Sequence, residues 1–429
     1  MKRVLIIGYL HPFARSGGSF RTLPLAKYLP EFGWEPIVLT PSLLEKEDLP
    51  FRVIETPYRD ALGFWKKLFG FDLDRDIKRQ VKERFGVTSK KSLIDFILTR
   101  GGAIINYPDS HRGWKPFALK AGNEIMQQEN IDAIISCHPV ATSHIIASTL
   151  KAKYGIPWVA DFADLWSQNP HYGYGPVRKL LDTRLELKTL SKADALVTVS
   201  EPWAKSLRTL HRGKTVYAIT HGFDLTEVNN PPANLMAKFT ITYTGTIYTG
   251  KHDPSKLFAA LQHLILNGTM DPDDIKVRFY GHKNAWLDKE IEHYGLSSIV
   301  AQYGLVSRDV AVEKQRESQL LLRLKLEKPQ ERGAYSGKIF EYLAARRPIL
   351  ATGGSVDVVS ELLDETKAGI CALTVEDIEN ALKELYREFK LKGEIAYKGE
   401  ESELNKYTHQ EMSRRFSEIL DHLAQNDRR

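Results

Sequence analysis

Only two cysteines occur in 429 residues, Cys137 and Cys371. They stand far apart and without metal-ligand spacing, which excludes a disulfide framework. Both read as buried residues, one ending a strand and one inside another. Also lacking is any apolar run near the ~20 residues that span a bilayer. The start, MKRVLIIGYL, is basic and then apolar. Its apolar stretch is short, has no small-residue cleavage site, and reads better as a first strand than as a secretory signal, which points to the cytosol. No His, Cys, Asp or Glu cluster has metal-site spacing. Asp72 and Asp74 form a nominal Asp-x-Asp, but a charge-patterned helix surface accounts for it better. Neither a metal nor another cofactor is therefore expected. Charge is nearly balanced, with 60 Lys and Arg against 54 Asp and Glu. The surplus is local: residues 51–120 hold 15 basic against 8 acidic groups, and the remainder 45 against 46. No nucleic-acid partner is expected.

What is present is an alternation of buried strands and amphipathic helices, the pattern of parallel sheets covered on both faces. The length suits two α/β domains of about 200 residues each. Strands are predicted at 3–9, 35–40, 51–56, 132–137, 157–161, 195–199 and 216–220. A second series follows at 239–244, 276–280, 299–303, 319–324, 348–352 and 369–372. Helices are predicted between them, for example at 19–32, 115–129, 141–154 and 201–210. The Asn-Asn-Pro-Pro core of residues 224–239 can continue neither element and reads as a linker. The expected division is 1–228, 229–406 and a final amphipathic helix from about Tyr407 to Ala424. Residues 60–105 interrupt the rhythm. There FWKKLFGF mixes bulky apolar side chains with lysines, and IKRQVKERF and KKSLIDFIL follow. Such a helix can lie against anionic lipid headgroups. A packed helical hairpin with a solvated basic face is the plainer alternative.

The most informative stretch is SGKIFEYLAARRPILATGG at 336–354. It reads as a turn, a helix from about Gly337 to Arg346, and a buried strand. Ser336 is the expected N-cap, its hydroxyl accepting a free amide proton of the first turn. Free backbone N–H groups at Gly337 to Ile339, with Lys338 beside them, make an anion site at a helix N-terminus. Glu341 falls one turn on, on nearly the same face. A cation and a carboxylate so placed suit a nucleoside diphosphate, one meeting phosphate and the other ribose hydroxyls.

At these residues the chain resembles the retaining glycosyltransferases of family 4. The resemblance continues through PWVADFADLW, SKADALVTVSEPW, VYAITHGFD, ITYTGTIYTGK, the N-terminal 26 residues or so and SRDVAVEKQRESQLLL. It covers most of the chain outside 60–105 and the last turns. It implies the GT-B fold, an α/β arrangement of two facing Rossmann-like domains with parallel sheets and an interdomain cleft. It further implies transfer of a sugar, with retention, from a nucleotide-diphosphate sugar (UDP- or GDP-linked) to a glycan or lipid-linked acceptor. A role in surface polysaccharide assembly, at a membrane approached through 60–105, would fit. A nucleotide-sugar 2-epimerase of the same fold and a non-catalytic nucleotide-sugar-binding relative are the alternatives.

Breaking the bond between sugar and diphosphate requires donors already in place for the departing anion. Lys251 and Lys338 are the candidates, with amides after Gly245 and Ser336, each just beyond a predicted strand. The family has an arginine after this glycine and a lysine five residues later. Here Gly245 and Lys251 match, and Thr246 stands at the arginine position. The family also has two glutamates eight residues apart. Glu341 matches the second, Gly333 takes the place of the first, and Glu331 lies nearby out of register. Arginine is also frequent in relatives where Ala163 stands.

In the first half, Gly17 and Gly18 follow the first strand, where backbone can approach a phosphate or sugar; a plain turn fits the local pattern equally. His138 and His144 follow the fourth strand. By resemblance this region contacts the donor sugar, His144 being the better match, with a structural role for each remaining open. Asp161 and Asp164 could be acid–base carboxylates. The favoured reading is that Asp161 caps a turn while Trp166 packs. With no nucleophile in view, front-face attack follows from the resemblance, the leaving phosphate taking the acceptor's proton.

Overall fold

Runs such as VLII at 4–7 and AIISC at 133–137 show no polar alternation, so they can pair only where both faces are covered. In the structure, a computed structural model, they are central strands. It describes residues 1–9, 19–42, 49–59, 107–229, 232–325 and 332–426. The basic segment 60–105, with Asp72 and Asp74, therefore lies outside the described residues, as do Gly17, Gly18 and Glu331.

The chain divides into two compact units, one made of Met1–Ile219 and Ser413–Arg429, the other of Thr220–Met412. In the first, β1 (Lys2–Ile7) leads to α1 (Ser19–Tyr28), β2 (Trp34–Pro41) and β3 (Arg52–Thr56). Next come α2 (Lys115–Gln128), β4 (Ala133–His138), α3 (Ala141–Tyr154) and β5 (Trp158–Phe162). The last elements before the crossover are α4 (Pro176–Leu190), β6 (Ala195–Thr198), α5 (Glu201–Leu210) and β7 (Val216–Ala218). The seven described strands are parallel, in the order β3-β2-β1-β4-β5-β6-β7.

The second unit runs β8 (Phe239–Thr244), α6 (Ser255–Leu266), β9 (Ile275–Tyr280), α7 (Ala285–His293) and β10 (Val300–Gly304). It continues with α8 (Arg308–Arg316), β11 (Leu320–Leu324), α9 (Gly337–Ala345) and β12 (Ile349–Thr352). It ends with α10 (Val358–Thr366), β13 (Gly369–Ala372), α11 (Val375–Lys392) and the short α12 (Glu401–Leu404). Its six described strands are again parallel, ordered β10-β9-β8-β11-β12-β13. Both sheets thus reverse direction once, between β1 and β4 and between β8 and β11. In open α/β sheets the crevice at that reversal, beyond the carboxyl ends of the strands, is where ligands bind.

The segment 224–239, read from sequence as a linker, is tied to the second unit. Asn229 donates its backbone N–H to Ala344 O (3.0 Å) and its side chain to Ala345 O (3.1 Å), and the Met236 N–H donates to Glu317 O (2.9 Å). The last helix, α13 (His409–Asn426), buries Met412, Phe416, Ile419 and Leu420. In the first unit it holds β1 and β2 through Asp421, which accepts from Lys2 (2.7 Å) and Trp34 (3.2 Å). Cys137 is buried, and that burial pushes its thiol pKa up. Cys371, expected buried, is only half-buried because β13 is an edge strand; its Sγ lies 3.2 Å from Ser360 Oγ. Among the described residues no helix is long and apolar enough to cross a membrane.

Candidate active site

Side-chain alternation along β11 decides what faces the switch point of the second unit. Leu320, Leu322 and Leu324 enter the core shared with α6 and α11. Leu321 faces the other way, into the cluster built by Ile339, Phe340, Tyr342 and Leu343 of α9. Arg323, two residues on, shares that α9 face at the carboxyl end of the strand. It is buried, 4% exposed.

The end of β8 is fastened to α9: the Thr244 N–H donates to Tyr342 Oη (3.1 Å), and Gln315 Nε2 donates to Thr244 Oγ1 (2.9 Å). Beyond it Gly245 has φ 127°, and a Cβ there would fall 2.0 Å from Lys338 Nζ. The positive φ is what calls for glycine here, since the space a Cβ would take is filled only by the movable tip of Lys338. The Lys338 ammonium therefore lies directly on the β8 turn, 4.5 Å from the centre of the Tyr243 ring and 3.4 Å from its hydroxyl. Burial lowers the Lys338 pKa to about 7, with repulsion from Arg323 adding to the shift and Glu341 opposing it. Burial raises the Glu341 pKa, while Arg308 and Lys338 draw it back. Sequence spacing placed Lys338 and Glu341 together, and the structure does too.

Ser336 has the backbone of an N-cap, φ −94° and ψ 145°, but its side chain makes no capping hydrogen bond. The expectation that its hydroxyl caps α9 is corrected. The Ile339 N–H instead donates to the Ser336 carbonyl (3.1 Å), so that amide is also occupied. The Ser336 hydroxyl is buried without a partner. Among the described residues no acceptor meets the Gly337 and Lys338 amides. Helix α9 thus presents two free N–H groups, a free hydroxyl and an ammonium. Thr246 is half-buried on the same turn as Gly245. Lys251 is exposed further along it, its N–H donating to Tyr248 O (2.9 Å). Gly333 is buried.

The switch point of the first unit ends in His138. With Pro108, Asp109, Trp166, Asn169, Tyr172 and others it lines a cavity of about 390 Å³. His138 stacks on Trp166, with ring centres 6.4 Å apart; its Nδ1 is buried without a partner, and burial lowers its pKa to about 3. It is a neutral imidazole at neutral pH. His144 lies behind it, fully buried, 5.7 Å from it ring to ring, with Nδ1 2.7 Å from Ser136 Oγ. Burial drives its pKa well below the ordinary value too.

Asp161 does not cap a turn, which corrects the favoured reading. It forms a fully buried pair with Arg21 of α1: Nη2 meets Oδ1 at 2.8 Å and Nε lies 3.1 Å from Oδ2. Arg21 Nη1 donates to Ile219 O (2.8 Å), and the guanidinium sits 5.3 Å over Phe416. Sequence reading missed Arg21, which lies in the polar start of a helix, and Arg323, hidden in a strand of leucines. A lone charge inside a buried strand was the available signal for the second. Asp164 is half-buried, and burial raises its pKa.

Two parallel sheets with interleaved helices, each with one reversal of strand order, are the arrangement of a GT-B fold. Comparison with known proteins agrees. Residues 89–227 match the model of Glycosyltransferase Family 4. No curated protein sequence gives a match. A glycosyltransferase from Rickettsia africae is similar in structure, with TM-score 0.61, 15% identity and 99% of each chain covered. HepE of Anabaena, solved with UDP and glucose, gives 0.59 at 12% identity over 98% of this chain and all of that one. TarM gives 0.58 at 10% identity over 98% and 99%.

Proposed function

We propose that the protein is a glycosyltransferase using a nucleoside-diphosphate sugar. The observation that carries this is the N-terminus of α9, where the free amides of Gly337 and Lys338, the unpartnered Ser336 hydroxyl and the Lys338 ammonium gather at one point. That set matches a diphosphate, and Glu341 one turn along is the acceptor for ribose hydroxyls. UDP, present with HepE, is the first donor nucleotide to try. As in the family the chain resembles, transfer would proceed with retention, the leaving diphosphate stabilised by these donors. Lys251, from the exposed turn, and Thr246 are the next candidates to reach the phosphates. The first-unit cavity, with His138, Trp166 and Tyr172 in its wall, has the mix of flat rings and polar groups that suits a sugar. A glycan or lipid-linked acceptor and a place in surface polysaccharide assembly complete the proposal.

A thermal-shift series with UDP, GDP, ADP and their sugars tests it. A ligand at 100 times its dissociation constant stabilises the fold by about 2.7 kcal/mol, a clear rise in melting temperature. One nucleotide diphosphate should raise the melting point well above its nucleoside, and its sugar conjugate should slowly yield free diphosphate. No shift with any of them would reject the reading, and epimer formed without free nucleotide would favour the epimerase.

A further inference from the structure

Four arginines are buried among the described residues: Arg21, Arg278, Arg323 and Arg347. Three have their donors met. Arg21 pairs with Asp161. Arg278 pairs with Glu317 at 2.5 Å and donates to Thr242 and Ser318. Arg347 donates to the carbonyls of Ser318, Gln319 and Ile395. Arg323 is the exception. Its Nη1 donates to the carbonyl of Leu324, its Nε is buried without a partner, and among the described residues no carboxylate pairs with it.

We propose that Arg323 is a phosphate-binding residue, supplying from the floor of β11 the second fixed cation of the diphosphate site. This rests on the nucleotide-sugar reading and adds a residue to it. A buried guanidinium without a counter-ion costs stability, because desolvation is not offset by pairing. The cost is compounded here because Lys338 on the same α9 face is a second cation, close enough for the two to repel. Glu341 is the carboxylate acting on Lys338, and it is shared with Arg308. With one carboxylate beside two cations the site carries a positive surplus, which an anion would balance. Arg323 also stands at the β8–β11 reversal, beside the turn that holds Gly245. Thr246 on that turn brings no charge, so a cation rising from the neighbouring strand restores the balance a diphosphate needs. The planar fork of arginine can meet two phosphate oxygens at once.

Arg323→Leu and Arg323→Lys, compared with the unaltered protein, give the test. Binding of UDP, GDP, ADP, the matching nucleoside and inorganic pyrophosphate is measured by calorimetry, alongside ligand-free melting temperature. Diphosphate affinity should fall about 10- to 100-fold in Arg323→Leu, the range of a lost charged hydrogen bond, with partial recovery in Arg323→Lys. Nucleoside affinity should not change, and the ligand-free melting temperature should hold or rise. Equal diphosphate affinity in all three proteins would overturn the role of Arg323 while leaving the nucleotide reading intact. If no nucleotide binds but pyrophosphate does, dependent on Arg323, the anion site stands and the nucleotide reading falls. If Arg323→Leu fails to fold, Arg323→Lys decides, unchanged pyrophosphate affinity together with a lowered melting temperature marking a structural arginine.

Discussion

Arg21 in the first unit and Arg323 in the second are both buried at the carboxyl side of a parallel sheet, yet they are treated oppositely. Arg21 is given a carboxylate, a carbonyl and an aromatic face. Arg323 is given one carbonyl from its own neighbour. A charge that has been fully paired can hold a fold together but has nothing left for a ligand. A charge left short of partners weakens the empty protein and is ready for an anion. The contrast separates scaffold from site more sharply than exposure does, since both residues are equally hidden. The histidines of the first unit differ in place and not in pairing: each keeps one buried ring nitrogen without a partner, but His138 stands in a cavity wall whereas His144 is packed behind it against Ser136.

The largest expected effect lies on the paired side. Replacing Asp161 by Asn or Arg21 by Met leaves a buried charge alone, and should lower stability by roughly 3–5 kcal/mol in urea unfolding. Nucleotide affinity of the folded protein should stay put. Full stability with lost turnover in Asp161→Asn would instead make Asp161 a reacting carboxylate.

At the candidate anion site the expectation inverts. Lys338→Met should leave the ligand-free melting temperature unchanged or higher, since a partly buried ammonium is removed. Affinity for a nucleoside diphosphate should fall by at least about 10-fold. Lys251→Ala, at an exposed position, should cost only a few-fold because water and salt screen it. Equal losses from the two lysines, measured by calorimetry, would erase the distinction between a built-in cation and a surface one.

The same lysine supplies a pH signature. In the folded protein Lys338 has a pKa near 7, against its ordinary 10.5. Between those values the folded protein has released the proton and the unfolded chain still holds it. Unfolding therefore takes up a proton, and the Lys338 contribution to ligand-free stability rises with pH through that window. A bound diphosphate favours the charged form, so binding above pH 7 should draw a proton from solution. Calorimetry in buffers of different ionisation enthalpy would detect it, and Lys338→Met should abolish it. Proton uptake that persists in the variant would assign the titration elsewhere.

The strands and their parallel pairing were legible because both-face burial writes unbroken apolar runs into a sequence. Gly245, Lys338 and Glu341 were legible because they sit at fixed offsets from strand ends and helix starts. Arg21 and Arg323 were not. Their meaning depends on partners 140 residues away in one case and on the want of partners in the other, and neither is a local property. Asp161 was misread for the same reason: its neighbours in sequence suggested a turn, while its real partner comes from α1.

Ser336 offers the finest division between scaffold and site, because sequence and structure assign its hydroxyl different work. A side chain that capped α9 would cost the fold about 1 kcal/mol when removed. Since it makes no such bond, Ser336→Ala should change unfolding free energy by less than about 0.5 kcal/mol, within the range of ordinary substitutions. Its hydroxyl is one neutral donor at the phosphate, so nucleoside diphosphate affinity should drop about 3- to 10-fold. Nucleoside affinity should not move. A destabilised variant that binds diphosphate normally would return Ser336 to the role of a cap, and would leave Gly337, Lys338 and Arg323 to hold the anion without it.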